Sequence, residues 1–282
     1  MPQLLSDITA SLSSISDTPA LDASVLLAHI LNKPRTWVMA HPEFVLTTEQ
    51  QNQLNKSLTL LESGEPFPYV LGHWEFFGLD FDITPDVLIP RPETELLVEK
   101  AIVWLQESPM RRKVADIGTG SGAIAISIAV NVPDTQILAT DISSKALDVA
   151  KQNAQKFDVQ NRIEFVRCDL LPPKSASLST EQQFDLICAN LPYIPTETLY
   201  SLPIYGREPT LALDGGADGL DSIRRFLKLI PEWLAPHSLI LLEIEARRGI
   251  QAQNLASDLF PQAEIRLHQD LTGHDRLLEI ML

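Results

Sequence analysis

The feature that most constrains the fold of this chain is a regular alternation of short apolar runs with helical segments from position 113 onward. Apolar runs bounded by turn-forming residues predict buried strands, and apolar residues at helical spacing predict helices between them. Such alternation is typical of α/β proteins, in which a parallel, doubly wound sheet carries helices on its faces. The predicted strands cover residues 114–117, 136–140, 163–166, 184–189 and 238–244, and the first predicted helices cover 121–130 and 143–156.

The two ends of the chain depart from this alternation. Residues 264–267 and 276–280, which flank a turn-like segment, predict two closing antiparallel strands and a mostly parallel sheet of seven strands. Residues 1–70 predict a small helical domain, because apolar residues recur at helical spacing in two stretches of it. Residues 71–90 predict a β-hairpin linker, and residues 91–282 then form the large α/β domain.

The net charge of the chain disfavours one class of binding partner. Its 282 residues include 22 Lys and Arg and 37 Asp and Glu, a formal net charge of -15, which disfavours a sequence-independent grip on nucleic-acid phosphates. Hydrophobic residues make up 45%, which allows a substantial core. Cys188 falls in the fourth predicted strand, and Cys168 ends the third when that strand is taken to span 164–168, so we expect two reduced thiols and a cytoplasmic location.

Targeting, membrane and metal signals are weak throughout. The first residues carry no basic stretch leading into an apolar one, so we expect no signal peptide. No uncharged apolar run reaches the roughly 18 residues of a spanning helix, so we expect no membrane insertion. The six histidines show no ligand spacing with one another or with the cysteines, so we expect no metal site.

A glycine-rich loop, Gly118-Thr119-Gly120-Ser121-Gly122, follows the first predicted strand. Glycines are needed where a backbone turns sharply against a ligand, because a β-carbon would fill the ligand's space or oppose a positive φ. The G-x-G-x-G spacing differs from the G-x-G-x-x-G of dinucleotide sites, and no P-loop lysine follows. The loop is similar to the one with which class I methyltransferases bind S-adenosylmethionine. The alternative is a tight turn that only packs a helix on a strand.

Two acidic residues follow the next two predicted strands. Asp141 ends its strand about 20 residues beyond the loop, where an acid commonly accepts hydrogen bonds from ribose hydroxyls. Capping of the following helix is a serious alternative for this side chain. Asp169 ends the following strand, and both cofactor binding and a solvated strand end stay open for it.

The tetrapeptide Asn190-Leu191-Pro192-Tyr193 leaves the carboxyl end of the fourth predicted strand, where open α/β sheets bind ligands. Its groups suit the grip of a planar NH2 group. The Asn190 side-chain oxygen and the Leu191 carbonyl would accept hydrogen bonds, and Pro192 biases residue 191 toward an extended backbone. Tyr193 would stack on the planar group and exclude water. The alternative is an ordinary turn at a strand end.

At this point the chain resembles the peptide chain release factor N5-glutamine methyltransferases, the PrmC/HemK family, over essentially its whole length. The most specific stretch is residues 87–95, and further family-like stretches cover 22–29, 69–72, 76–79, 116–122, 190–195, 208–209, 213–220 and 270–276. The resemblance implies a class I, Rossmann-like methyltransferase fold. It also implies methyl transfer from S-adenosylmethionine to the glutamine of a release factor's Gly-Gly-Gln motif, with the helical domain helping to recognise that protein.

The resemblance also implies roles for individual residues. The glycine loop, Asp141 and Asn190 would contact the cofactor, and Asp169 and Leu170 would flank its adenine. The family usually has proline at position 191, some relatives carry tryptophan at 170, and a glycine more often follows the Glu243-Ile244 pair. These departures put rigidity and cofactor affinity in question, whereas the type of reaction should survive because the acceptor at position 191 is backbone.

Two other functions fit parts of this pattern. An adenine-N6 or guanine-N2 nucleic-acid methyltransferase would use a similar site to hold an exocyclic amine, but the net charge and residues 87–95 disfavour it. A cofactor-binding protein without turnover would explain the departures at 191 and 243–247. We expect a monomer. The sequence does not identify the preferred release factor or further glutamine-containing substrates.

Overall fold

A computed structural model describes residues 2–41, 43–173 and 183–282 of the chain. These residues divide into two compact units, Met1–His73 and Trp74–Leu282. In the part of the chain that is described, no helix combines the length and apolar character needed to cross a membrane.

The first unit consists of helices, as predicted. They are α1 (Pro2–Leu12), α2 (Pro19–Leu31), α3 (Arg35–Ala40), α4 (Thr48–Glu62) and α5 (Phe67–Leu71). Helix α4 begins at a capping box, in which the Thr47 side chain accepts from the Gln50 backbone N–H and the Gln50 side chain accepts in return. Leu26 and Leu27 of α2 are fully buried and form part of the core of this unit.

A short hairpin lies within the predicted linker. Strands β1 (His73–Phe76) and β2 (Leu79–Asp82) pair in a two-stranded sheet. The backbone N–H of Phe77, in the turn, donates to the Glu95 side chain at 2.8 Å. The Asn153 side chain exchanges two hydrogen bonds with the Asp82 backbone, at 2.8 and 3.0 Å, and donates to the Ser121 carbonyl at 2.9 Å. One buried amide therefore joins the hairpin to the glycine-rich loop.

The main sheet confirms the prediction of a mostly parallel, seven-stranded arrangement. Its strands are β3 (Lys113–Ile117), β4 (Gln136–Asp141), β5 (Ile163–Arg167), β6 (Phe184–Ala189), β7 (Leu234–Glu243), β8 (Glu264–Gln269) and β9 (Asp275–Met281). They lie in the order β5-β4-β3-β6-β7-β9-β8, and β9 alone is antiparallel to both of its neighbours. The strand order reverses between β3 and β6, which is where such sheets bind ligands.

The helices of the second unit are α6 (Glu95–Gln106), α7 (Ala123–Asn131), α8 (Ser144–Lys156), α9 (Thr196–Leu199), α10 (Asp221–Leu229) and α11 (Gly249–Leu259). Helix α7 begins two residues later than predicted, because Gly122 adopts a left-handed conformation with φ 84°. Strand β7 begins at Leu234, four residues earlier than predicted. Cys168 lies one residue beyond the end of β5 and not inside it, whereas Cys188 lies in β6.

The core of the second unit lies between the sheet and its flanking helices. Ile187 and Ala189 of β6 are fully buried, and so are Phe226 of α10 and Ile240 of β7. Strands β6 and β7 bury residues on both faces because helices cover both faces of the sheet. This packing fixes the carboxyl ends of β3, β4 and β6 as one rigid edge, and the functional candidates lie there.

Candidate active site

The glycine-rich loop turns between β3 and α7. Its three glycines have φ values of 74°, 57° and 84°, which side-chain-bearing residues rarely adopt. The N–H groups of Gly118 and Thr119 both donate to the Thr140 carbonyl, at 2.9 and 2.8 Å. The loop is therefore held by the end of β4, with its shape set by backbone.

The glycines at positions 120 and 122 serve different purposes. A β-carbon at position 122 would lie 2.7 Å from Ile126 Cδ1 and 3.3 Å from Ala150 Cβ, so this glycine allows α7 and α8 to pack. A β-carbon at position 120 would meet nothing within 4 Å. The backbone at Gly120 is thus approachable, as a loop that contacts a ligand must be.

Asp116 lies fully buried beneath this loop. Its Oδ2 accepts hydrogen bonds from the Thr119 hydroxyl at 2.6 Å and from the Ala125 N–H at 3.1 Å. Its Oδ1 is buried and has no hydrogen-bond partner among the described residues. Burial raises the pKa of this carboxyl to about 6, against the two hydrogen bonds, which lower it. Sequence reasoning did not single out Asp116, although an acid at a strand end before a glycine-rich loop was the available signal.

Asp141 supports the loop from the end of β4. Its Oδ2 accepts from the Gly120 N–H at 3.0 Å and its Oδ1 from the Ser143 N–H at 2.8 Å. Helix α8 is capped by the Ser143 hydroxyl, which accepts from the Ala146 N–H at 3.2 Å, so Asp141 is not the helix cap. Burial raises the pKa of Asp141, and its backbone hydrogen bonds oppose that rise.

Asp169 and Leu170 follow β5, with different surroundings. Asp169 forms an ion pair with Arg225 of α10, and both side chains are more than half exposed. Leu170 has a left-handed backbone with φ 63°, and its carbonyl accepts from the Thr140 hydroxyl at 2.6 Å. Thr140 therefore holds the glycine loop through its carbonyl and Leu170 through its side chain. Arg225 was not predicted.

The tetrapeptide after β6 lies beside the glycine loop. Ile117 of β3 pairs with Ala189 of β6, which brings Gly118 next to Asn190. A β-carbon at position 118 would lie 3.8 Å from the Asn190 carbonyl oxygen. The two segments that the sequence predicted as cofactor loop and NH2 grip are thus neighbours at the reversal point of the sheet.

The Asn190 and Tyr193 side chains are joined through a buried carboxylate. Asn190 Nδ2 donates to Thr94 Oγ1 at 3.1 Å, and the Thr94 hydroxyl donates to Glu243 Oε2 at 2.6 Å. The Tyr193 hydroxyl donates to the other oxygen, Glu243 Oε1, at 3.0 Å. Sequence reasoning missed Thr94 and Glu243 as site residues. An acid ending the otherwise apolar Leu239–Leu242 run was the available signal.

Burial and neighbouring charges shift the pKa values of Glu243 and Tyr193. Burial raises the pKa of Glu243, whereas the hydrogen bonds from Thr94 and Tyr193 and the charge of Arg276 lower it. Burial and the nearby Glu243 carboxylate raise the pKa of Tyr193, so its hydroxyl stays protonated and donates. The Arg276 guanidinium is itself held by Asp270, at 3.2 Å.

A glycine-containing segment packs on the backbone of the tetrapeptide. The Ile194 N–H donates to the Leu213 carbonyl at 3.0 Å, and the Gly215 N–H donates to the Ile194 carbonyl at 2.8 Å. A β-carbon at Gly215 would lie 2.7 Å from Tyr193 Cα, so only glycine permits this approach. Contact with this segment therefore fixes the backbone at Tyr193.

The distinctive 87–95 segment meets a second stretch singled out from the sequence. Glu208, which is buried, accepts from the Ile89 N–H at 3.1 Å and forms an ion pair with Arg91.

At position 245, Glu245 has φ -71°, an ordinary extended conformation, and its side chain accepts from the Arg247 N–H. The departure from glycine there introduces no backbone strain.

The two cysteine side chains stay in the thiol form. Burial raises the pKa of the Cys188 thiol well above its usual value and that of Cys168 to about 11. Over residues 2–41, 43–173 and 183–282, no group of three or more His, Cys, Asp or Glu side chains is arranged to hold a metal ion.

Known proteins resemble this chain in sequence and in fold. Residues 3–72 match the PrmC N-terminal domain, and residues 93–199 match the methyltransferase small domain. The release factor glutamine methyltransferase of Moorella thermoacetica is 38% identical over 261 residues, covering 92% of this chain and 90% of the relative. That of Coxiella burnetii is 38% identical over 275 residues, covering 96% and 95%.

A solved structure supports the fold alone. The SAM-dependent methyltransferase from Agrobacterium tumefaciens has a TM-score of 0.52 at 16% sequence identity, covering 74% of this chain and 69% of that one.

Proposed function

Because the chain belongs to the family of release factor glutamine methyltransferases, we propose that it methylates the side-chain amide nitrogen of the glutamine in the Gly-Gly-Gln motif of release factors. The methyl donor is S-adenosylmethionine. One observation carries the proposal: Asn190, whose backbone lies next to the glycine loop, binds Thr94 through its NH2 group, so its side-chain oxygen is left as an acceptor. A planar NH2 group is what such an acceptor recognises.

The residues at the end of β3 and β4 fit S-adenosylmethionine. The approachable backbone at Gly120 suits close contact, and the unpaired buried oxygen of Asp116 suits a positively charged ligand. Asp141 retains lone pairs for ribose hydroxyls beyond its two backbone hydrogen bonds. Thr119 and Ser121 complete the loop, and Asp169 and Leu170 would flank the adenine. When bound, S-adenosylmethionine would supply a methyl group on a positive sulfur; the C–S electron pair would stay on sulfur as the N–C bond formed, and the methylated nitrogen would lose one proton to solvent.

The tetrapeptide supplies orientation. An amide nitrogen is a weak nucleophile because its lone pair is delocalised into the carbonyl, so it must be held in line with the methyl group. The Asn190 side-chain oxygen and the Leu191 carbonyl would each accept one N–H of the substrate amide. Pro192 restricts the backbone of Leu191, and Tyr193 closes the site with its ring. Preorganised acceptors of this kind act without rearrangement during the reaction.

The partner is a protein and not a nucleic acid. The net charge of -15 disfavours binding to phosphate backbones, and the helical unit, which matches the PrmC N-terminal domain, supplies recognition of the release factor. The enzyme acts as a monomer in the cytoplasm, where release factors work.

The test is a methylation assay with labelled S-adenosylmethionine. The purified protein should label a release factor at the glutamine, as peptide mass spectrometry would show, and should leave DNA, RNA and a release factor with alanine at that position unlabelled. Asn190→Ala should abolish transfer while the protein stays folded by circular dichroism. Label on nucleic acid only, or on the alanine-bearing release factor at the same level, contradicts the proposal.

Calorimetry followed by single-turnover assay separates an enzyme from a cofactor-binding protein. Tight binding of S-adenosylmethionine without transfer to any release factor would favour the protein without turnover. We expect both binding and transfer, because the backbone acceptor at Leu191 does not depend on its side chain.

A further inference from the structure

The hydrogen-bond chain from Glu243 to Asn190 has a fixed direction. The carboxylate form of Glu243 only accepts hydrogen bonds, so in that form the Thr94 hydroxyl donates its proton to Oε2 at 2.6 Å. The lone pairs of Thr94 Oγ1 are then left to accept, and the NH2 group of Asn190 donates to that oxygen at 3.1 Å. The Asn190 side-chain oxygen consequently points away from Thr94.

Burial makes this direction costly to change. The exposed fractions of Glu243 and Thr94 are 1% and 4%, so water does not compete for their hydrogen bonds. If the Asn190 amide turned over, its oxygen would face the Thr94 oxygen, whose proton is already given to Glu243. Two acceptors would then face each other, and each would be left without a hydrogen bond.

The same carboxylate also binds Tyr193, the last residue of the tetrapeptide. The Tyr193 hydroxyl donates to the other Glu243 oxygen at 3.0 Å. The segment before α6, the end of β6 and the end of β7 are thus brought together at one acid.

We propose that Glu243 is a positioning residue, which acts through Thr94 to keep the Asn190 side-chain oxygen turned toward the substrate amide. This inference rests on the proposed function, because it assigns the oxygen to an NH2 group of the substrate. In the turned-over orientation the Asn190 NH2 group would face the substrate NH2 group, donor against donor, and the grip would be lost. Glu243 itself touches neither substrate nor cofactor in this role.

The primary test is Thr94→Val, which keeps the shape of the side chain and removes the hydroxyl. The expected result is a fall in kcat of about tenfold or more with a KM for S-adenosylmethionine within about twofold of wild type, since orientation is lost and the cofactor loop is intact. Thr94→Ser, which restores the hydroxyl, should recover most of the rate. A matched control is Thr135→Val, because Thr135 is also fully buried and its hydroxyl donates to the Val132 carbonyl away from the site.

A second measurement does not depend on activity. The side-chain NH2 signal of Asn190, identified by its loss in Asn190→Ala, should exchange with solvent faster in Thr94→Val than in wild type and Thr94→Ser. If wild type leaves release factors unmethylated, the proposed function fails, and this exchange measurement still judges the positioning role. Unchanged exchange, or an unchanged kcat in Thr94→Val alongside an active wild type, overturns the inference.

Discussion

Leu191 packs against Gly118, the first glycine of the cofactor loop, so closely that a β-carbon at position 118 would lie 3.4 Å from Leu191 Cδ2. Leu191 is 3% exposed and belongs to the hydrophobic core beneath the sheet edge. We therefore propose two functions for this residue: its backbone carbonyl is part of the proposed NH2 grip, and its side chain anchors that grip to the core.

The first prediction concerns this anchor. Leu191→Ala should lower the free energy of unfolding by about 2–4 kcal/mol, because it leaves a cavity in a packed region. Leu191→Met, which conserves volume, should cost less than about 1.5 kcal/mol. Urea unfolding followed by circular dichroism measures both. Equal, small losses for the two variants would show that the side chain is not an anchor.

The second prediction concerns the buried carboxyl of Asp116. Its pKa is raised from 3.8 to about 6, so between about pH 4 and pH 6 the folded state binds a proton that the unfolded state has lost. The stability that this group contributes is present below pH 4 and is lost as pH rises through 6, a change of about 3 kcal/mol.

Asp116→Asn should remove that part of the pH dependence and unfold at higher urea than wild type at pH 8. We expect the free energy of unfolding at pH 8 to rise by about 1–2 kcal/mol. The rise stays below about 3 kcal/mol because the new amide nitrogen occupies the position of the unpaired oxygen and is itself left without a partner. Its affinity for S-adenosylmethionine should fall. Asp258→Asn, at an exposed position, is the control. An unchanged slope in Asp116→Asn would place the titration elsewhere.

The third prediction separates two glycines of one loop. Gly120 and Gly122 both have left-handed φ values, so alanine at either costs about 1–2 kcal/mol of backbone strain. Gly122→Ala should be the more destabilising, because its β-carbon meets Ile126 and Ala150. Gly120→Ala should instead weaken S-adenosylmethionine binding by about tenfold, the equivalent of 1.4 kcal/mol. Calorimetry and urea unfolding of both variants test this, and wild-type affinity in Gly120→Ala would place the cofactor elsewhere.

The fourth prediction tests the adenine contact. Asp169→Ala should weaken binding of S-adenosylmethionine by about tenfold, through loss of one hydrogen bond to a charged acceptor. Arg225→Ala should leave the affinity within about twofold of wild type and change stability by less than 1 kcal/mol, because the pair is exposed. Equal losses of affinity in the two variants would indicate that the ion pair, and not the carboxylate, supports the site.

The seven strands and the two main loops were predictable because they depend on local patterns. Apolar runs located all seven strands of the sheet, and the glycine spacing and the Asn190-Leu191-Pro192-Tyr193 segment located the edge at which they meet. Helices α10 and α11 were missed, although α10 places Ile223, Phe226 and Leu227 on one buried face. Their apolar residues also follow helical spacing, but in the α/β domain the sequence analysis predicted helices only for segments before residue 157.

The supporting residues of the site were not predictable from spacing. Thr94 and Glu243 are 149 residues apart, and Arg225 is 56 residues from Asp169. Each residue alone looks like a helix-start residue, a strand end or a surface charge. The packing of α6 on the adjacent parallel strands β6 and β7 brings Thr94 next to Glu243, and no local pattern encodes that contact.

The amide of Asn153 has a consequence for exchanging segments between relatives. It uses its oxygen and its NH2 group on the Asp82 backbone, and it also donates to the Ser121 carbonyl in the cofactor loop. The hairpin and the loop therefore have to be inherited as a matched set with position 153, although these three pieces are far apart in the sequence. A chimaera that replaces the hairpin and changes residue 153 would carry an altered cofactor loop without a single change inside the loop itself.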